Sequence, residues 1–405
     1  MATQEIETRC CIAGGGPAGM MLGFLLARAG LDVVVLEKWP DFLRDFRGDT
    51  IHPSTLTVLD ELGLLQEAMQ LEHSELRELQ VEISGQTATV ADFSRLGPCS
   101  ALVLMPQWDL LNFLAKKAER YPGFHLMMQT EVTDLLTKDG AVVGVKAKSP
   151  RGEVAIRSEL VVGADGRHST VRQRSGLRCR NFGAPMDVLW FRLSRQPTDA
   201  PAIGRADDGK ILVTIDRGDY WQCGVVIKKG GIDAIRAGGL DAFRASVAAL
   251  APFAAGRTEE IASWDDVKLL SVAVDRLDTW YRPGLLCIGD AAHAMSPIGG
   301  VGINLAIQDA VAAANLLIPK FKLGTPREQD LAAVQRRREP PAHRTQKLQL
   351  FIQNNLIEKV LSGRLLQGHR RRLPFALRLL QSFPILRRIP ARVVGIGFRP
   401  EHVET

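Results

Sequence analysis

Three short stretches of this chain bring together residues whose types and spacing could do chemistry. The first reads Gly14-Gly15-Gly16-Pro17-Ala18-Gly19 and is followed, 23 residues after Gly14, by Glu37 with Lys38 beside it. Gly14 permits a tight turn, Gly16 lets the backbone approach a pyrophosphate, and Gly19 lets a helix pack closely on a strand. Pro17 suits a first helical turn, where its missing N–H is no loss. Open N–H groups at that helix start would face phosphates, and the Glu37 carboxylate could accept bonds from ribose hydroxyls. The chemistry is dinucleotide binding. The second stretch, Asp165-Gly166, closes the apolar run Leu160-Val161-Val162. The third, Gly289-Asp290-Ala291-Ala292, closes Leu285-Leu286-Cys287-Ile288 and leads to the glycine-rich turn Pro297-Ile298-Gly299-Gly300-Val301-Gly302.

The elements that must position these residues are legible around them. Cys10 to Ala13 and Val33 to Leu36 are apolar runs suited to buried strands, and Met20, Met21, Phe24, Leu25 and Ala27 mark a helix stopped by Gly30. Strand, glycine turn, helix, strand and acid therefore stand in the order a dinucleotide site needs, which an ordinary glycine turn would not supply. Gln107 opens an amphipathic helix carrying Leu110, Leu111, Phe113 and Leu114. Leu79 to Ile83 and Thr87 to Phe93 alternate as a hairpin around Gly85, and Val188 to Leu193, Ile211 to Ile215 and Tyr220 to Ile227 read as strands of mixed polarity. Gly302 to Ile318 reads as a helix, and a helical remainder is expected to break at Pro340-Pro341, Pro374, Pro384 and Pro390. The expected architecture is α/β: a discontinuous Rossmann-like domain (1–76, 99–180 and 276–340), an inserted, mostly antiparallel β-sheet substrate domain (77–98 and 181–275) and a helical, basic C-terminal segment (341–405).

Composition bounds the reading. With 405 residues, 46% hydrophobic and 24% charged, the chain has the makeup of a globular protein of two or three domains. The segment before the first strand carries Glu5 and Glu7 and has no signal-peptide pattern, and no run of about 18 apolar residues predicts a spanning helix. Six cysteines (10, 11, 99, 179, 223 and 287) lack metal or disulfide spacing, so reduced thiols, no metal and a cytoplasmic location are expected. Ten of the 51 Lys and Arg lie between Lys359 and Arg399 with no Asp or Glu among them, which leaves the rest of the chain net acidic. That asymmetry excludes a nucleic-acid footprint over the catalytic part. It suggests either a basic amphipathic contact of 359–399 with the inner face of an anionic membrane or a helical cap with its arginines in water.

In combination and order, Gly14 to Gly19, Asp165-Gly166 and Gly289-Asp290 resemble the three fingerprints of the single-component FAD-dependent aromatic hydroxylases. This para-hydroxybenzoate hydroxylase-like group includes ubiquinone-pathway hydroxylases. The resemblance covers roughly residues 8 to 320 and implies noncovalent FAD. It implies that Asp290 tethers the ribityl chain, that Asp165 and Gly166 reach the pyrophosphate and the nicotinamide donor, and that Arg172 helps fix that loop. A helix-capping Asp165 is the alternative. It further implies that Arg47 contacts the pyrophosphate region, that Gln107 lies against the ribityl chain, and that the backbone of Val132 meets adenine. The turn ending in Gly300 and Gly302 would present the N–H groups of Ile303 and Asn304 to a flavin carbonyl, where a helix start stabilises negative charge. Pro297 would border the substrate ring. Val301 stands where many relatives carry Gln. His52 and His293 read as satisfied histidines at helix starts.

The function implied is hydroxylation of an aromatic or other electron-rich ring with O2 and NADPH or NADH, through a flavin C4a-hydroperoxide. No second G-x-G-x-x-G unit occurs, which fits a single-component enzyme. Pocket candidates are Trp190, Arg192, Tyr220 and Trp221; alternation sends Trp190 and Arg192 to one face of their strand and Phe191 to the other. Only Tyr121, Tyr220 and Tyr281 exist, so a small hydroxybenzoate is disfavoured as substrate. The alternatives are an FAD-dependent reductase of a prenyl or other lipophilic substrate and a non-catalytic redox flavoprotein. A monomer or a dimer is compatible with all of this.

Overall fold

The computed structural model describes residues 4–43, 50–83, 85–199, 204–207, 209–362 and 374–405. Its centre is an eight-stranded sheet whose parallel part runs, in spatial order, Leu285–Cys287, Gly152–Gly163, Gln4–Ala13, Val33–Leu36 and Phe124–Met127. Cys10 to Ala13 and Val33 to Leu36 are buried without interruption, as unbroken apolar runs are when both faces of a parallel sheet are covered. The helices Pro17–Arg28, Gln107–Ala118 and Gly302–Leu323 pack side by side in one layer. Antiparallel strands Glu131–Lys138 and Ala141–Ser149 branch from Gly152–Gly163.

The register of the parallel strands is what creates a site. Cys287 pairs with Gly163, Gly163 with Ala13, Ala13 with Leu36 and Leu36 with Met127, so five strands share one row at their carboxyl ends. Gly14, Glu37, Ala164-Asp165 and Ile288-Gly289 leave the sheet together at that edge, where open α/β sheets bind their ligands.

A seven-stranded sheet stands beside it in the order Lys268–Leu270, Met186–Ser194, Tyr220–Lys228, Lys210–Asp216, Gly204–Asp207, Glu78–Ile83, Gln86–Asp92. Every pairing is antiparallel except the one between Gly204–Asp207 and Glu78–Ile83. One face, carrying Leu189, Phe191, Leu193, Trp221 and Cys223, is covered by the helix Leu240–Leu250. The other carries Met186, Val188, Trp190 and Val226 and packs on Ile298, Ile357 and Val360.

Two expectations change in the C-terminal part. The helix Glu328–Ile352 runs straight through Pro340 and Pro341, where a break and a domain boundary were expected. Its inward row, Leu331, Val334, Gln335, Arg338, Pro341, Ala342, Thr345, Gln346 and Gln349, is buried on both sides of the prolines, and that packing outweighs the local penalty of proline in a helix. In the basic tail, the helices Phe375–Ser382 and Arg388–Gly395 lie on the strand Gln86–Asp92 of the second sheet, and Arg388–Gly395 also reaches the parallel-sheet part, through Val394 at His52 and Gly395 at Pro53. Arg370, Arg371, Arg372 and Leu373 lie outside the described residues. Among the described residues one helix, Ile298–Leu323, is long and apolar enough to cross a membrane, and 83% of its apolar window is buried inside the protein. It is a core helix.

Residues 399–404 pack on the helices Gly302–Leu323 and Glu328–Ile352 and close a buried charge network. Asp309 receives a 2.6 Å contact from His293 Nε2 and a 2.9 Å bond from Arg338 Nε. Arg338 Nη1 donates to Glu401 Oε1 at 3.1 Å and to the Arg399 carbonyl at 3.0 Å. Burial alone would raise the Asp309 carboxyl, but His293 and Arg338 beside it hold it below the usual carboxylate range. Asp309 also accepts the Gly289 N–H at 3.0 Å, so the network carries the third fingerprint on its back. Replacing Glu401 by Ala leaves the wholly buried Arg338 without one of its two carboxylates. Urea unfolding should show a loss of roughly 3–5 kcal/mol, the usual result of breaking a buried pair from one side; a loss under about 1 kcal/mol would show that the network is not structural.

Candidate cofactor and active site

The glycine turn is built by contact and leaves no room for side chains. A Cβ on Gly19 would lie 1.9 Å from the Gly14 carbonyl oxygen, and one on Gly14, at φ +104°, would lie 2.4 Å from the Ala164 carbonyl oxygen. The first and second fingerprints therefore touch through bare backbone. Gly16 ends the turn as the residue before the helix Pro17–Arg28; no side chain caps that helix start and no acid lies in its first turn. A Cβ on Gly16 would meet nothing within 4 Å. The open space and the unused N–H groups suit a diphosphate. Ala18 is buried and faces Gly289, so it spaces the first fingerprint from the third.

Glu37 is buried, and its carboxylate clamps the turn: Oε2 accepts the Gly15 N–H at 3.0 Å and Oε1 accepts the Trp39 N–H at 3.1 Å. Its backbone ties in Thr130, whose N–H reaches the Glu37 carbonyl at 2.9 Å, which brings the buried Val132 to the same end of the site. Lys38 is exposed, with its ammonium 5.3 Å from the centre of the Trp39 ring. Arg47 lies outside the described residues.

At the second fingerprint Asp165 turns inward. It accepts the Ser169 hydroxyl and, at 3.1 Å, the Val171 N–H, and so braces the start of the helix Thr170–Ser175, whose cap is Ser169, accepting the Arg172 N–H at 2.9 Å. Burial raises its carboxyl above the usual range in spite of those bonds. What this loop turns outward is Gly166, with open space before it, and Arg167, whose guanidinium lies 3.5 Å from Asp290. Arg172 stitches the fingerprints together: it donates to the Arg167 carbonyl, to the Ala291 carbonyl at 3.4 Å and to Asp275 at 3.1 Å. Asp290 keeps about a third of its side chain (31%) exposed at the shared edge. Gln107 opens its helix directly after Pro106.

The turn after Pro297 is held from behind by a row of glutamines. Gln349 donates to the carbonyls of Ser296 and Ile298, both at 2.9 Å, and Gln353 donates to the Ser296 hydroxyl at 2.8 Å. Gly299 and Gly300 have φ of +77° and +63°, a left-handed pair that only glycine adopts readily, and the helix from Gly302 starts without a side-chain cap. The Ile303 side chain is buried, and Asn304 turns its carboxamide oxygen away from the turn to accept the His52 N–H at 2.9 Å and the Thr55 hydroxyl at 2.6 Å. His52 and His293 are both buried with one ring nitrogen bonded and the other, His52 Nε2 and His293 Nδ1, without a partner, so neither is the fully satisfied histidine expected, and only His52 stands at a helix start.

On the second sheet the pocket candidates divide. Trp190 lies flat on Gly224 of the neighbouring strand, where a Cβ would come within 2.9 Å of its ring, and it faces the side that packs on Ile298. Arg192 is exposed, 4.9 Å above the Tyr220 ring. Trp221 does not belong with them: it is buried under the helical cover, edge-on to Phe253, with Nε1 donating to Asp199 at 2.8 Å. Alternation along the strand from Tyr220 puts the two aromatics on opposite faces. Sequence reasoning also missed Asp309, Arg338 and the glutamines. A signal existed, since Gln346, Gln349 and Gln353 recur at helical spacing on an otherwise polar segment.

Together, two uncapped helix starts, one outward carboxylate and a clamped glycine turn on a single edge fit an extended dinucleotide with an anionic middle. Burial pushes His52 down to about 4, against carbonyl contacts from Val394, Gly300 and Gly299 that favour its charged form. In the unfolded chain its value returns to about 6.5, so between these values the unfolded state binds the extra proton. Stability is therefore full above pH 6.5 and falls as pH drops towards 4, by roughly 3 kcal/mol for this group. Urea midpoints measured from pH 7.5 to 4.5 should fall along that slope, and His52→Asn should flatten it; an unchanged slope in the variant would remove His52 as the cause.

The sequence pattern of the FAD binding domain family matches residues 7–348. A 6-methylpretetramide 4-monooxygenase of Streptomyces rimosus is 34% identical over 392 residues, covering 96% of this chain and 92% of that protein. A para-nitrophenol 4-monooxygenase of Pseudomonas sp. (strain WBC-3) is 25% identical, covering 77% and 78%. The solved structure of an anhydrotetracycline hydroxylase from Streptomyces rimosus superposes with a TM-score of 0.75 at 23% identity, over 96% of this chain and 76% of that one, which shows the shared fold. With the match spanning the glycine turn, both later fingerprints and the second sheet, the chain belongs to the FAD binding domain family and is an FAD-dependent monooxygenase.

Proposed function

We propose that the chain hydroxylates an electron-rich aromatic ring, of the kind named in its 6-methylpretetramide relative, using O2 and NADPH or NADH. The observation that carries this reading is the position of Trp190. Its indole lies on Gly224 on the sheet face that meets Ile298, so an aromatic wall stands beside the turn that would border the flavin. The bound FAD, once reduced by the nicotinamide, supplies the activated oxygen. The protein's part is position and electrostatics. Asp290 accepts from the ribityl chain, Glu37 sets the adenosine end, and the N–H groups of Ile303 and Asn304 hold negative charge at the ring carbonyl. Pro297 and Trp190 would flank the substrate, with Ile298 in the apolar cluster beside Trp190. The names of the relatives favour an oxygenase over the prenyl-reductase alternative.

Two measurements test this. Reduction by NADH or NADPH under nitrogen, followed by air and a panel of phenolic ring systems, should consume O2 and add one oxygen atom to a ring; saturation of a prenyl double bond without O2 uptake would select the reductase instead. For the cofactor, Asp290→Ala removes a charge-assisted bond of roughly 1.5–3 kcal/mol, so FAD affinity should fall about ten- to a hundredfold. Undiminished affinity in the folded variant would overturn the role of Asp290.

A second reading concerns the tail. Phe375 is 77% exposed and Ile385 66%, with Phe383 and Ile389 also exposed, among Arg378, Arg387, Arg388 and Arg392. An apolar row set among cations suits the interface of an anionic bilayer, at about 1 kcal/mol per cation. Cosedimentation with anionic vesicles at physiological salt, lost in a Phe375→Ser, Ile385→Ser, Ile389→Ser variant, is the expected result. Equal, negligible binding to anionic and neutral vesicles would leave a packed cap and no membrane contact.

A further inference from the structure

We infer that His52 is the positioning residue of the flavin-facing turn, linking it to the C-terminal helix Arg388–Gly395. The inference rests on reading Gly300 to Asn304 as that turn. His52 precedes the helix Pro53–Glu61 in extended conformation, and its side chain makes no capping bond. Instead the wholly buried ring reaches the Val394 carbonyl, 2.8 Å from Nδ1. A carbonyl only accepts, so Nδ1 carries the proton and the neutral ring leaves a lone pair on Nε2. Nε2 is buried without a hydrogen-bond partner and lies against Gly300, 3.6 Å from where a Cβ would stand. Thr50 presses on the same glycine, its hydroxyl oxygen 2.8 Å from that point.

Three supports of the turn therefore meet at one residue. The His52 N–H fixes the Asn304 carboxamide in the first turn of the helix Gly302–Leu323. Its ring backs Gly300. Its Nδ1–H holds Val394, whose side chain lies within 3.7 Å of a Cβ placed on Gly299. A neutral ring suits the position. It fills the space behind two glycines that cannot fill it themselves, and it adds no fixed charge to compete with the helix start for negative charge on the ligand.

The experiment compares His52→Leu, His52→Asn and His52→Gln. The carboxamide nitrogen of Asn falls near Nδ1 and can keep the Val394 bond, whereas that of Gln falls near Nε2 and cannot. Three readouts are FAD affinity of the apoprotein by fluorescence quenching, thermal melting of the apoprotein, and the midpoint potential of the bound flavin by dye equilibration. Leu and Gln should weaken FAD about tenfold and make the potential more negative, while Asn restores both to near the parent. If Leu does not fold, the Asn and Gln pair alone decides. Equal behaviour of Asn and Gln, or lowered melting with potential and affinity unchanged, would overturn the inference and leave His52 a packing residue. Asp290→Ala run alongside separates the two levels: if it too leaves FAD affinity unchanged, the assignment of the site fails and not the role of His52 within it.

Discussion

The closeness of three backbone segments is the constraint on which the rest of this structure depends. The Gly14 turn, the start of the helix Pro17–Arg28 and the Ala164-Asp165 loop meet with no side chain between them, since a Cβ on Gly19 or Gly14 would stand inside normal contact distance of a carbonyl oxygen. That contact seats the helix start at the carboxyl edge of the sheet. Because five strands end on one register row, the loops that follow them all begin at the same edge. A shift of one residue in any strand would take its end off that row and withdraw its loop from the site.

The helices that start at this edge from Pro17 and Gly302 carry no side-chain cap, so the turns before them are held from elsewhere. The structure uses two kinds of support in two places. Next to the Gly299–Gly300 turn the supports are neutral: Gln349, Gln353, Asn304 and a His52 ring that burial keeps uncharged near neutral pH. The charged groups of the network are paired among themselves, as Asp309, Arg338 and Glu401 are. The separation has an electrostatic logic. A carboxamide satisfies a donor and an acceptor without adding a field, so the two helix starts remain the dominant positive ends facing the ligand.

The C-terminal residues are part of this arrangement and not an appendage. Arg388–Gly395 backs the Gly299–Gly300 turn through Val394, and Glu401 completes the charge network that carries Gly289. The tail thus touches the third fingerprint at two points while resting on the edge strand of the second sheet. Its exposed apolar residues lie on the side away from these contacts, which separates a surface role from a supporting one within the same helices.

By itself the sequence determined the parallel core, the glycine turn and the three stretches that meet there. Each of these depends on local chemistry: glycine where a side chain cannot fit, unbroken apolar runs where both sheet faces are covered, a carboxylate at a strand end. The hairpin at Gly85 and the opposite facing of Trp190 and Phe191 were legible for the same reason, since period-2 alternation is local. What the tertiary structure decided is where long-range partners compete with local preference. Pro340 and Pro341 predict a break, yet burial of the helix on both sides carries it through. Trp221 reads as a pocket aromatic until the helix Leu240–Leu250 is seen to cover its face. Asp165 could cap a helix or reach a ligand from sequence alone, and only the positions of Ser169 and Val171 turned it inward to brace the helix start that Ser169 caps. The bonds from Arg338 to Asp309 and Glu401, and from His52 to Val394, join residues 29, 63 and 342 apart. Such pairs leave no periodic trace in a single sequence, because nothing in the local chain depends on them.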